Sequence, residues 1–189
     1  MTKYDKILNK LKKIDKYRYK HSMGVMDTAV KLCKIYNEDI EKMKIAAILH
    51  DYAKIYSNAK LRNYVKEFNL DLDDIIINTK DLAHGPVGAE LIKTRFNIKD
   101  EQILNAIRYH TFTNRDMTDF DIILYLADMI EPNRGDFKDK NKIKYLCFNK
   151  KLKKAMVVAL NRSLKYIIDK NEKIYIESII LRNKLIDKI

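Results

Sequence analysis

The stretch Ile45-Ala-Ala-Ile-Leu-His-Asp-Tyr-Ala-Lys54 decides how this chain is read. It is a run of helix-forming apolar residues that ends abruptly in His50-Asp51, with Lys54 one turn further on. Closing an imidazole, a carboxylate and an ammonium onto an apolar face costs on the order of several kcal/mol per unpaired charge unless a partner compensates them. A metal cation does so directly, because neutral imidazole and ionised carboxylate are both ligands. A solvated helix end without chemistry is the plainer alternative for any isolated His-Asp pair.

Outward from that stretch the chain is helical almost throughout. Residues 39–55 read as one helix, with Met43, Ala46, Ala47 and His50 on its buried face. Upstream, residues 3–36 read as helix. Tyr4, Leu8, Leu11 and Ile14 form one stripe with Ile7 at its edge, a break is expected near Lys16-Tyr-Arg-Tyr-Lys20, and His21, Val25, Thr28, Ala29 and Leu32 share the next face. Downstream, helices are predicted over 58–68, in a turn or two from Asp71 through Asn78, and from the Gly85-Pro86 entry to about Phe96, with His84 on the apolar face. Asp100 N-caps a helix through Thr111 on which Ile103, Ala106, Ile107 and His110 align. A polar loop over 112–119 precedes a helix over 120–130, stopped by Glu131-Pro132. Helices near 140–147, 150–169 and 175–188 complete the chain. With only 4 Gly and 2 Pro in 189 residues, the fold class is all-α, a single helical bundle spanning residues 1–189.

Composition narrows the function. Cys33 and Cys147 lie far apart without metal spacing and read as small core residues in a reducing cytoplasm. No secretion signal and no apolar run of the ~20 residues that span a bilayer is visible, so the expectation is a cytoplasmic protein with no membrane partner. The net charge of +12 favours polyanionic ligands, nucleotides included. It does not indicate a specific nucleic-acid partner: lysines are dispersed along the chain and no aromatic-and-basic strip is present to stack bases. Arginine is scarcer, and Arg18, Arg108 and Arg134 fall close to candidate ligands.

The 4 histidines, His21, His50, His84 and His110, each lie on the inner face of a predicted helix end. One such histidine is ordinarily a satisfied core residue. Four of them, with Asp51 and with Asp128 set among Ile122-Ile-Leu-Tyr-Leu-Ala127 and Met129-Ile130, form a constellation. Asp128 is either a buried acceptor paired to an arginine or a metal ligand.

This pattern resembles the HD superfamily of metal-dependent phosphohydrolases, in which a histidine, an adjacent His-Asp pair and a distant aspartate bind metal on a helical bundle. The matching residues are His21, His50-Asp51 and Asp128. Arg18-Tyr-Lys-His-Ser22, Leu49-His-Asp-Tyr-Ala-Lys54, His84-Gly-Pro-Val-Gly88, Ala106-Ile-Arg-Tyr-His-Thr111 and Tyr125-Leu-Ala-Asp-Met-Ile-Glu-Pro132, taken in order, look like the YqeK-type branch of symmetrical bis(5′-nucleosyl)-tetraphosphatases. The likeness runs from about residue 8 to residue 185, and it departs after Arg134, where Gly-Asp-Phe makes a short, acidic loop.

The resemblance implies hydrolysis of diadenosine tetraphosphate to two ADP, with iron as the divalent metal held by His21, His50, Asp51 and Asp128. Mixed nitrogen and oxygen ligation without thiolate suits iron, manganese or zinc. Asp51, Lys54, His84 and His110 form the expected catalytic set, with Lys54 and Arg134 neutralising charge on the phosphate oxygens. His84 and His110 have two readings: a second metal site bridged by Asp51, or donors that face the phosphates and protonate the leaving group. Expected contacts with the dinucleoside polyphosphate or an ADP-like ligand are Arg18, Tyr52, Ala53, Lys54, His84, His110, Arg134 and Arg182, and the segment 171–176 could close over a base or ribose. Two other readings stand beside this one: a related phosphohydrolase acting on another nucleotide, and a module that senses a nucleotide without turning it over. A homodimer is one assembly compatible with the reading.

Overall fold

The central element of the fold is a helix that is apolar on every side. In a computed structural model describing residues 12, 15–79 and 81–189, ten α-helices follow in order. They are α1 (Lys16–Tyr36), α2 (Ile40–Leu49), α3 (Asn58–Glu67), α4 (Asp74–Asn78), α5 (His84–Phe96), α6 (Glu101–Tyr109), α7 (Asp119–Ile130), α8 (Lys140–Phe148), α9 (Leu152–Asp169) and α10 (Ile176–Ile186). A 3₁₀ turn, Tyr52–Ile55, joins α2 to α3. No strand occurs among the described residues. The stripe predicted at Tyr4, Ile7, Leu8, Leu11 and Ile14 lies outside them.

Helix α7 carries Phe120, Ile122, Ile123, Leu124, Leu126, Ala127 and Ile130, all buried, and packs against α1, α2, α6, α8 and α9. A helix apolar all round is stable only when neighbours cover every face. Its start is fixed by a capping box between Thr118 and Asp121. A smaller apolar cluster of Ala53, Leu61, Tyr64, Val65, Ala83, Val87 and Leu91 lies under the 3₁₀ turn, α3 and α5. Cys33 and Cys147 are fully buried free thiols, each pushed up to about 12 by burial, and so unreactive.

Two helices end earlier than their spacing predicts, by the same device. The helix read as 39–55 stops at Leu49, because His50 Nδ1–H donates to the carbonyl of Ala47 at 2.8 Å. The helix read through Thr111 stops at Tyr109, because His110 Nδ1–H donates to the carbonyl of Ile107 at 2.6 Å. In both, an imidazole satisfies a carbonyl that continued helix would have taken. The break expected near residues 16–20 falls at the edge of that stretch: Lys12 is helical, Asp15 is not, and α1 starts at Lys16, capped by the Asp15 side chain.

Candidate metal centre

Helix ends bring the titratable residues together. His21 comes from the second turn of α1, His50 and His110 from the caps of α2 and α6, His84 from the first residue of α5, and Asp128 from the last turn of α7. Close approach of α5 to α6 depends on Gly85: a Cβ there would stand 2.7 Å from the Arg108 carbonyl oxygen. The group His21, His50 and Asp51 has ligand atoms within 4.8 Å of one another, and so has the group Asp51, His84 and His110. Asp51 belongs to both.

Ring tautomers follow from the outer hydrogen bonds, because carbonyls and carboxylates only accept. His50 and His110 use Nδ1–H on Ala47 and Ile107, and His21 uses Nδ1–H on Glu131 Oε1 at 3.1 Å. In the neutral rings all three Nε2 lone pairs face inward. His21 Nε2 lies 3.3 Å from His50 Nε2, and His50 Nε2 lies 3.7 Å from Asp51 Oδ1 and 3.8 Å from Asp128 Oδ1. Asp128 Oδ1 is 3.0 Å from His21 Nε2 but without hydrogen-bond alignment, so that buried oxygen lacks a hydrogen-bond partner. Acceptors aimed at acceptors in a buried site require positive charge between them. His21 Nε2 and His50 Nε2, with Asp51 and Asp128 and without thiolate, match a divalent cation of the first transition row.

The electrostatics express the same demand. Burial works against a charged His21, yet Asp128, Glu131 and Asp51 raise its pKa: a proton supplies the positive charge a cation would otherwise bring. Burial dominates His50, driving it down to about 4, and also lowers His84. Burial pushes the Asp51 carboxyl up, but His50, His110 and His84 together hold it well below the usual carboxylate range. Asp128 behaves likewise, burial being overcome by His21, His50 and Arg134.

A cavity of about 420 Å³ opens beside this cluster, with His84, His110, Asp128, Lys54, Arg134 and Arg162 among its walls. His84 Nε2–H points to Asp51 Oδ1 at 3.0 Å and to His110 Nε2 at 3.1 Å, leaving its buried Nδ1 without a partner. Lys54 Nζ is 3.4 Å from Asp51 Oδ2. Arg134 donates to the Asp128 carbonyl at 2.9 Å and to Asp128 Oδ2 at 2.6 Å. A larger neighbouring cavity of about 960 Å³ shares Leu82, Thr111 and Tyr125 with the first and reaches Asn171, Glu172, Lys173 and Tyr175, within the segment expected to close over a base or ribose.

Four expected contacts lie elsewhere. Arg18 pairs with Asp15 at 3.0 Å. The Tyr52 hydroxyl accepts from Arg95 at 3.4 Å and its ring packs edge-on against Phe96. Ala53 is fully buried in the smaller apolar cluster. Arg182 donates to Asn161 Oδ1 at 2.5 Å on the face shared by α9 and α10. None of the four lines either cavity. Arg108, too, is engaged by Glu90 at 3.1 Å.

Glu131 was legible only as the residue before Pro132. It is 1% exposed, and its second oxygen accepts from the Asn133 backbone N–H at 2.6 Å and side-chain amide at 3.0 Å. A carboxylate on the outer nitrogen of a ligating histidine fixes the tautomer and raises ligand basicity. Gly24 makes room for it: a Cβ on residue 24 would lie 2.2 Å from Glu131 Oε2. A buried glutamate ending an apolar helix was the available signal.

Comparison with known proteins agrees with this geometry. Residues 18–133 match the model of the HD domain. The symmetrical bis(5′-nucleosyl)-tetraphosphatase of Halalkalibacterium halodurans is 35% identical over 173 residues, covering 92% of this chain and 91% of that protein. Its counterpart in Bacillus subtilis is 32% identical over the same shares. A crystal structure described as a predicted HD superfamily hydrolase involved in NAD metabolism, from Clostridium acetobutylicum, superposes with a TM-score of 0.92 at 39% identity over 100% of both chains.

Proposed function

This chain belongs to the HD-domain family, and on that premise we propose that it is a metal-dependent symmetrical bis(5′-nucleosyl)-tetraphosphatase, cleaving diadenosine tetraphosphate into two ADP. The observation that carries the reading is the inward convergence of two imidazole Nε2 atoms and two carboxylates from the ends of three helices.

His21, His50, Asp51 and Asp128 hold the divalent cation, and iron is the metal we assign to it. When bound, the ion supplies Lewis-acid polarisation of a phosphoryl oxygen and an acidified water nucleophile. The protein's own side chains do the remaining work. Lys54 and Arg134, both on the cavity wall, place positive charge where it accumulates on the phosphate oxygens. His84 and His110 also line that cavity, whereas His21 and His50 do not. This favours the substrate-facing reading, with His84 and His110 directed at the phosphates and the departing ADP. Because His84 Nε2–H and His110 Nδ1–H are already engaged, each donates there from its other nitrogen once that nitrogen carries a proton. The second triad, Asp51 with His84 and His110, supports a second reading in which these two residues hold another cation. The cavity reaching Tyr175 accepts a nucleoside, with the Phe112–Tyr175 aromatic pair, centroids 5.7 Å apart, on its wall.

We take residues 1–189 as one domain acting in the cytoplasm. No helix among the described residues is long and apolar enough to cross a membrane. The test is product analysis with diadenosine tetraphosphate. ADP as the sole product, lost in His50→Ala and Asp51→Ala, is the expected result. ATP plus AMP would overturn the assignment of symmetrical cleavage.

A further inference from the structure

Three cationic side chains of lysine or arginine line the cavity beside the metal cluster: Lys54, Arg134 and Arg162. Two of them are already held by residues of that cluster. Lys54 faces Asp51 at 3.4 Å, and Arg134 faces Asp128 at 2.6 Å. Arg162 differs. It comes from α9, which supplies none of the cluster. Among the described residues its guanidinium has no carboxylate partner; it lies instead over the Phe137 ring, 4.3 Å from the centroid. Phe137 itself packs against the main core. Stacking on an aromatic face orients a guanidinium without neutralising it, and leaves its N–H groups free for planar recognition of phosphate.

We propose that Arg162 is a specificity-determining residue that binds the phosphate chain beyond the bridge being cleaved. The proposal rests on the dinucleoside polyphosphate reading above. Central cleavage of a tetraphosphate leaves two phosphates on either side of the broken bridge. The cations fixed to Asp51 and Asp128 sit at the cluster and act there. An outlying phosphate needs its own counter-charge, and Arg162 is the cavity's remaining one. A guanidinium placed to meet an outer phosphate rewards a long chain over a short one. Arg162 thereby reads chain length.

The test compares wild type, Arg162→Ala and Arg162→Lys in calorimetric binding of inorganic tripolyphosphate and of orthophosphate. Expected is a loss of about tenfold or more in tripolyphosphate affinity for the Ala variant, with orthophosphate unchanged and partial recovery in the Lys variant. In parallel, kcat/KM for diadenosine tetraphosphate should fall more than that for diadenosine triphosphate. Equal weakening of both anions would mean that Arg162 only packs the Phe137 loop, and no weakening of either would mean that it faces no ligand; both overturn the proposal. Failure of the wild-type protein to release ADP would sink the enzymatic reading alone, since the anion-binding comparison still decides Arg162.

Discussion

Glu131 Oε1 accepts the Nδ1–H of His21 at 3.1 Å, across 110 residues of chain, and thereby turns the opposite nitrogen of that ring into the metal cluster. Glu131→Gln keeps the shape and removes the charge. We expect metal affinity to fall by about 10- to 100-fold with the fold retained. Metal content after competition with a graded series of chelators measures it. Wild-type retention of metal in this variant would show that His21 is oriented by packing alone.

Gly24→Ala sets two effects against each other. Alanine gains up to about 1 kcal/mol in a helix interior, and the backbone gives it no strain to relieve, since no glycine has a positive φ. Its Cβ, however, meets Glu131 Oε2 at 2.2 Å and Asn133 Nδ2 at 2.8 Å. The obstructing atoms are side-chain ends, so the carboxylate moves and the core does not. Stability should therefore change by less than about 1 kcal/mol while metal affinity falls on the order of tenfold. A urea midpoint and a metal titration on the same sample check both halves. A collapsed midpoint would mean that the helix, not the carboxylate, gives way.

Arg95 on α5 donates to the hydroxyls of Tyr52, Tyr56 and Tyr64 at 3.4, 2.8 and 3.0 Å. Tyr52 and Tyr56 flank Lys54 on the 3₁₀ turn, which has no side-chain cap of its own. Arg95 thus positions the turn from the same helix that begins with His84. Arg95→Met should lower kcat on the order of tenfold, since small misplacements near the reacting groups are costly, with KM little changed and partial rescue by Arg95→Lys. A loss confined to thermal stability, with kcat intact, would assign Arg95 a purely structural role.

Acid should destabilise the metal-stripped protein. Burial keeps His50 neutral down to about pH 4 and also lowers His84, whereas in the unfolded chain both take protons near pH 6.5. The unfolded state therefore binds more protons between those limits, and stability drops as pH falls. For His50 alone this is on the order of 3 kcal/mol. His21, with a raised pKa, acts in the opposite sense: its contribution is present below about pH 6.5 and is lost as pH rises through the folded value. Asp51 and Asp128 keep their contribution until pH falls through their depressed values. Urea midpoints of chelator-treated protein at about pH 7, 5.5 and 4.5 should decline in that order. A midpoint that climbs on acidification would show His21 outweighing the other two.

Local spacing and composition were enough to read the helices, the apolar burial of α7 and the presence of His21, His50, His84, His110 and Asp128 on inner faces at helix ends, because each of these is set within a few turns of chain. The same spacing carried two helices too far, since an imidazole that caps its own helix has no signature in a hydrophobic pattern. Tertiary packing alone decided which arginines were free. Arg108 and Arg182 found neighbours that occupy them, and Arg18 pairs with Asp15 through Nε while its buried Nη1 has no hydrogen-bond partner among the described residues. Arg162, silent in the sequence, came to rest on the cavity wall with no carboxylate partner among the described residues. It also decided the tautomers: Glu131 meets His21 only because α7 ends against α1. Which side chain presents charge to a cavity depends on partners far away in the chain, and a one-dimensional pattern does not hold that information.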